Sequence, residues 1–259
     1  DKSKEQDEIK SIKIGIENNM TLIDTAEMYG EGLAEELVGK AIKGYDREKL
    51  FLVSKVYPHN AGRRNIFRSC ENTLKRMGVE YLDLYLLHWR GAVPLSETVE
   101  CMEELVKKGK IKRWGVSNFD IDDMKELMTV KNGDKCVVNQ VLYHLGSRGI
   151  EYSLYPWMKE HNIPVMAYCP MAQGASLKHE LMTNKELIKI AEKYDLSIPE
   201  LLLAFVLQKD NIIAIPRTSN PQHALRNAKV ADVRIDEGDL EIMDREFPAP
   251  DRKVYLDIV

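Results

Sequence analysis

The chain has 259 residues, enough for one large hydrophobic core or two small ones. Its 37 Lys+Arg against 41 Asp+Glu leave a formal charge of −4, and 44% hydrophobic with 30% charged residues is the composition of an ordinary globular protein. These values exclude a disulfide-stapled mini-protein and a disordered chain, and they give no support to a broad nucleic-acid-binding surface.

Ile9, Ile12 and Ile16 recur at helical spacing among charged residues, so 4–19 reads as an amphipathic helix. Seven short segments rich in β-formers follow: TLIDTA (21–26), LFLVSKV (50–56), YLDLYLLH (81–88), IKRWGVSN (111–118), CVVNQVLY (136–143), IPVMAYCP (163–170) and IIAIPRT (212–218). Helical patterns separate them: GLAEELVGKAIKG, RRNIFRSCENTLKRMG, LSETVECMEELVKKGK, DIDDMKELMTV, IEYSLYPWMKEHN, then NKELIKIAEKYD with IPELLLAFVLQK, and PQHALRNAK. The closing EGDLEIMDREF reads as one more helix, packed outside the sheet.

Near-continuous apolar strands alternating with helices predict a parallel sheet covered by helices, and eight right-handed repeats close into a (β/α)8 barrel. The count is one strand short. Because the chain opens with a helix, the missing first strand is expected upstream of Asp1. Without a Gly-, Pro- or Ser-rich linker or a shift in composition, residues 1–259 read as one domain.

The longest apolar runs, such as LLLAFVL at 201–207, are far shorter than the roughly 20 residues of a membrane-spanning helix. The amino terminus, DKSKEQDEIKSIKIG, lacks the apolar stretch of a secretory signal, so a cytoplasmic protein is expected. Cys70, Cys101, Cys136 and Cys169 lie far apart with no C-x-x-C pair, which suits reduced packing thiols better than a zinc site or a disulfide framework.

In such a barrel the active site lies at the carboxyl ends of the strands, and several strands here end in polar residues. Asp24 ends TLIDTA, Lys55 lies at the end of LFLVSKV, His88 ends YLDLYLLH, Ser117 and Asn118 end IKRWGVSN, Gln140 lies within VVNQV, and Tyr168 closes VMAY. Tyr29 follows Asp24 by five residues. Each has a structural explanation too: Asp24 suits a helix cap, His88 a satisfied core histidine, Tyr29 a packing aromatic. Lys55 is harder to explain structurally, because an ammonium at the end of an apolar strand must be paired or wet.

Together they describe a site that protonates an oxygen. Lys55 beside Tyr29 favours the phenolate and so makes the phenol a better proton donor; Asp24 holds Lys55 charged; His88 donates a hydrogen bond to a carbonyl oxygen. No side chain in the group is a nucleophile for that carbonyl, so the reductant is a bound cofactor. There is no G-x-G-x-x-G fingerprint, so a dinucleotide would lie across the barrel mouth. Tyr168 offers an aromatic face for a nicotinamide, with Ser117, Asn118 and Gln140 for its carboxamide, and Arg217, Thr218 and Ser219 precede a helix amino terminus suited to a phosphate.

At this point the chain resembles an aldo-keto reductase over nearly its whole length, through LIDTAEMYG, FLVSKV, DLYLLHW, WGVSNF, NQV, MAYCPMAQG and IPRT in order and spacing. The resemblance implies a catalytic tetrad of Asp24, Tyr29, Lys55 and His88 with Tyr29 as general acid, and a cofactor set of Ser117, Asn118, Gln140, Tyr168, Arg217, Thr218, Ser219 and Asn227. It further implies a substrate pocket walled by Tyr57 and Trp89 and suited to an apolar or aromatic carbonyl compound. Arg217 stands where many members carry Lys, His223 where a second arginine is usual, and Arg226 where a glutamate is common. NADPH is expected over NADH, with no metal. The expected partner is a small aldehyde or ketone, with neither nucleic acid nor membrane, acting on a monomer. Two rival classes are a nicotinamide-binding redox sensor with little turnover and a metal-dependent hydrolase using His88, His144 and Asp24.

Overall fold

A computed structural model describes residues 4–258. Helices and strands alternate in chain order: α1 (Glu5–Glu17), β1 (Leu22–Asp24), α2 (Leu33–Ile42), β2 (Phe51–Val56), α3 (Ile66–Met77), β3 (Leu84–Leu87), α4 (Leu95–Lys107), β4 (Trp114–Ser117), α5 (Ile121–Thr129) and β5 (Asn139–Leu142). There follow α6 (Leu154–Glu160), β6 (Val165–Tyr168), α7 (Ala175–Thr183), α8 (Lys185–Lys193), α9 (Ile198–Leu207), β7 (Ile212–Ile215), α10 (Pro221–Val230) and α11 (Glu237–Glu246). Each of the seven expected strands is present, three to six residues long and shorter than the segment expected. The helix α7, over ASLKHELMT, carries too weak an apolar stripe to be read from periodicity. The segment IEYSLYPWMKEHN becomes helical only from Leu154, after a 3-10 turn at Gly149–Glu151.

The chain forms two compact units, Asp1–Asn139 with Thr218–Leu225, and Gln140–Arg217 with Arg226–Val259. In the first, β1, β2, β3 and β4 pair parallel in that order, with Asp24 opposite Val53, Lys55 opposite Leu86 and Leu87 opposite Val116. Central strands are buried along their whole length, as in LYLL of β3, because helices cover what would be their solvent face. The helix α3 buries Ile66, Ser69, Cys70, Thr73, Leu74 and Met77, one stripe at helical spacing. Gly39 of α2 lets α3 approach: a Cβ there would lie 2.8 Å from the Met77 carbonyl oxygen. Asp120 and Asp123 form a capping box that starts α5 directly after the β4 end.

In the second unit β6 and β7 pair parallel, Val165 opposite Ile212 through Tyr168 opposite Ile215. The helix α9 is apolar nearly all round and buried from Leu201 to Val206, and Ser197 with Glu200 caps it. Cys70, Cys101 and Cys136 are buried thiols, and burial pushes Cys70 and Cys136 up to about 12. Among the described residues no helix is long and apolar enough to cross a membrane.

Candidate active site

Strand alternation builds the centre. On β2 the hydroxyl of Ser54 donates to Glu35 Oε1 of α2 at 2.6 Å, so the next residue, Lys55, projects from the other face. Lys55 is 0% exposed, and its ammonium uses all three donors at once. Nζ donates to Asp24 Oδ2 at 2.6 Å, to the Thr25 carbonyl oxygen at 2.9 Å and to the Tyr29 hydroxyl oxygen at 3.2 Å. Because Lys55 can only donate, the Tyr29 oxygen accepts, which leaves the phenol's own proton for another acceptor.

Tyr29 reaches Lys55 through a left-handed turn: Gly30, Glu31 and Gly32 have φ of 58°, 55° and 93°. Gly32 is required twice over, since a Cβ there would lie 2.6 Å from Arg76 Cδ. Tyr29 as a residue is 39% exposed. His88 directly follows β3, and its N–H donates to the Val56 carbonyl at 3.1 Å. Its ring meets that of Tyr29 edge-on, centroids 5.6 Å apart at 82°. Burial, and then the nearby Lys55 ammonium, lower His88 to about 3, so the imidazole is neutral near neutral pH. Its Nδ1 is buried without a hydrogen-bond partner among the described residues. Asn118, with φ of 57°, donates from Nδ2 to the His88 carbonyl at 3.2 Å.

Aromatic rings continue outward from this group. Trp89 lies 4.9 Å from His88, Tyr57 meets Trp89 edge-on at 5.8 Å, and His59 lies 4.8 Å from Tyr57, all between centroids. A cavity of about 380 Å³ is lined by Glu27, Glu31, Tyr57, His59, Asn60 and Arg76. A larger one, about 540 Å³ between the ends of α3 and α4, holds none of the candidate residues.

The other expected residues divide between the units. In the first, Ser117 is 1% exposed at the end of β4, and Thr218 Oγ1 accepts from the Asn220 N–H at 3.0 Å beside the half-buried Ser219. Asn220 Oδ1 accepts from Gln222 N–H at 2.9 Å, capping the start of α10. In the second, Gln140 Nε2 donates to Met166 Sδ at 2.9 Å, Tyr168 is half-buried at the end of β6, Arg217 is exposed and Asn227 is buried. Arg226, a departure from the family's pattern, is held by a two-pronged pair to Glu200, 2.6 Å at each contact. Among the described residues no three His, Cys, Asp or Glu are grouped to hold a metal.

Two participants are not apparent in the sequence. The Thr25 carbonyl is a backbone group with no residue signature, and Glu27, whose carboxylate holds the loop after β2, is one of many acidic residues in the chain. A buried cation holding a phenol oxygen, with a neutral imidazole beside it, can deliver a proton and a hydrogen bond to one substrate oxygen.

The comparisons with known proteins agree with this chemistry. The family model described as Aldo/keto reductase family matches residues 1–246. Methylglyoxal reductase YeaE of Escherichia coli (strain K12) is 48% identical over 259 residues, covering 100% of this chain and 91% of that protein. Glyoxal reductase of Bacillus subtilis (strain 168) is 34% identical, covering 95% of this chain and 88% of that protein. The crystal structure of an aldo-keto reductase from Klebsiella pneumoniae in complex with NADPH superposes with a TM-score of 0.97 at 48% identity, covering 99% of this chain and 90% of that one. The fold class is therefore the α/β, (β/α)8 class expected from the strand and helix order.

Proposed function

This chain belongs to the aldo/keto reductase family, and on that premise we propose that it reduces 2-oxoaldehydes and related small carbonyl compounds with NADPH, Tyr29 donating the proton. Membership makes it an NAD(P)H-dependent oxidoreductase of carbonyl compounds. The reductases of methylglyoxal and glyoxal among its relatives support the substrate class, and the NADPH complex of its Klebsiella relative supports NADPH as the cofactor.

The observation that carries the reading is the Lys55 ammonium, fully buried and 3.2 Å from the Tyr29 hydroxyl. The cofactor supplies one hydride to the carbonyl carbon. Neutral His88 donates a hydrogen bond to the carbonyl oxygen and orients it. Tyr29 gives its proton to that oxygen as negative charge builds there, completing the alcohol. Lys55 stabilises the phenolate left behind, Asp24 and the Thr25 carbonyl keep Lys55 aimed, and Tyr29, being partly exposed, recovers its proton from water.

The residues present fit a phosphorylated dinucleotide. The guanidinium of the exposed Arg217 would suit a phosphate, as would the hydroxyls of Thr218 and Ser219 and the capped amino end of the ten-residue α10. Asn227 would complete the adenosine side; Ser117, Asn118 and Gln140 would take the carboxamide, and Tyr168 the nicotinamide face. Tyr57 and Trp89 would wall the substrate pocket. We place this reaction in the cytoplasm, on one catalytic domain acting as a monomer.

The test is a panel of methylglyoxal, glyoxal and aryl aldehydes with NADPH and NADH, following loss of reduced-cofactor absorbance. The expected result is oxidation of NADPH by 2-oxoaldehydes, slower oxidation of NADH, and a loss of about 10²–10⁴-fold in kcat in Tyr29→Phe. No turnover of any carbonyl by the wild type would overturn the reading in favour of a sensor.

A further inference from the structure

Glu27 lies two residues before Tyr29 on the loop after β1, and it bonds in two directions. Its backbone N–H donates to the Lys55 carbonyl at 3.3 Å. Its Oε1 accepts from the Tyr57 N–H at 2.7 Å and from Asn60 Nδ2 at 3.1 Å. Tyr57 is the first residue past β2, where the ladder stops and a backbone donor needs a new partner. Asn60 closes the 3-10 turn Pro58–Asn60, its own N–H donating to the Tyr57 carbonyl at 2.9 Å. One carboxylate therefore clamps both ends of the turn that presents the Tyr57 ring to Trp89 and His59. Glu27 and Tyr57 line the same cavity. The Glu27 carboxylate bonds to this turn at both of its ends, while Tyr29 and Lys55 are held by other contacts.

We propose that Glu27 is a positioning residue that sets affinity for the carbonyl substrate by fixing the Tyr57 wall of the pocket, without setting the rate of proton donation. The proposal rests on Tyr57 and Trp89 walling the substrate pocket. A charge-assisted pair of bonds to one turn is stronger than two neutral ones, so an amide in its place keeps the geometry only in part.

The experiment uses the full chain with Glu27→Ala, Glu27→Gln, Tyr57→Ala and the double variant Glu27→Ala/Tyr57→Ala. Expected for Glu27→Ala are a roughly tenfold rise in KM for the carbonyl substrate, kcat within about twofold, and unchanged NADPH affinity in a fluorescence titration. Glu27→Gln should lie between, and Glu27→Ala should add little in the Tyr57→Ala background. An unchanged KM, a fall in kcat, or full additivity with Tyr57→Ala would overturn the proposal. Hydrogen exchange of the Tyr57 amide gives a readout independent of turnover: it should quicken in Glu27→Ala, and unchanged exchange would overturn the clamp. Failure of the wild type to turn over any carbonyl would instead sink the proposed function, with the exchange result still judging Glu27.

Discussion

The Lys55 ammonium is wholly buried and lies 2.6 Å from the Asp24 carboxylate, so the charge that bonds the Tyr29 hydroxyl is also a liability to the fold. Removing one partner of a buried ion pair costs about 3–5 kcal/mol, because the other charge is left uncompensated. Asp24→Asn should fall near the lower end, since the Thr25 carbonyl still accepts from Lys55. Urea unfolding would measure this, and a loss under about 1 kcal/mol would show that the pair contributes little.

Lys55→Met removes the fully buried cation and leaves the Asp24 carboxylate, whose side chain is 11% exposed and within reach of water, so the effects on stability and activity should part. Stability is expected to change less than in Asp24→Asn, while kcat falls by about 10²–10⁴-fold as the phenolate loses its counter-charge. Denaturant curves and single-turnover kinetics on the same sample check the split.

Acid should weaken the fold through two histidines. Burial holds His88 down to about 3 and His144 down to about 4, against an unperturbed value near 6.5. Between those limits the unfolded chain binds more protons than the folded one, so stability is full above about pH 6.5 and is lost as pH falls toward 3. Each histidine contributes a slope of about 1.4 kcal/mol per pH unit while it titrates. Denaturant midpoints from pH 7 to pH 4 would record the loss, and His144→Gln should reduce the slope by one proton's worth. The same neutrality of His88 predicts no break in kcat/KM from this residue between pH 5 and 8.

Arg217→Ala should raise KM for NADPH by about tenfold and change KM for NADH little, since the guanidinium would meet a phosphate that only NADPH carries. The ratio of kcat/KM for the two cofactors reads this out. Equal losses with both would place Arg217 away from that phosphate.

The buried Glu35, 2.5 Å from Arg76 Nε and 2.6 Å from the Ser54 hydroxyl, ties α2 to α3 and to β2, the strand that carries Lys55. Arg76→Ala leaves that carboxylate with one neutral donor, and a loss of about 3–5 kcal/mol is expected with KM for NADPH unchanged. Thermal melts beside steady-state kinetics would separate this structural role from a catalytic one.

The sequence by itself determined the strands and pointed to the candidate site residues, because parallel strands covered on both faces leave a continuous apolar run that a terminal Asp, Lys or His interrupts. Asp24, Lys55 and His88 stand out at such ends, and Tyr29 follows at a fixed offset from Asp24. Tertiary structure alone decided who touches whom. Lys55 meets Asp24 and Tyr29 across 31 and 26 positions of chain, and Glu27 meets Tyr57 across 30. These contacts depend on strand register and on a left-handed turn at Gly30–Gly32, and no local pattern encodes either distance. The neutrality of His88 and the commitment of Arg226 to Glu200 likewise came from burial and neighbours, which a one-dimensional pattern does not carry.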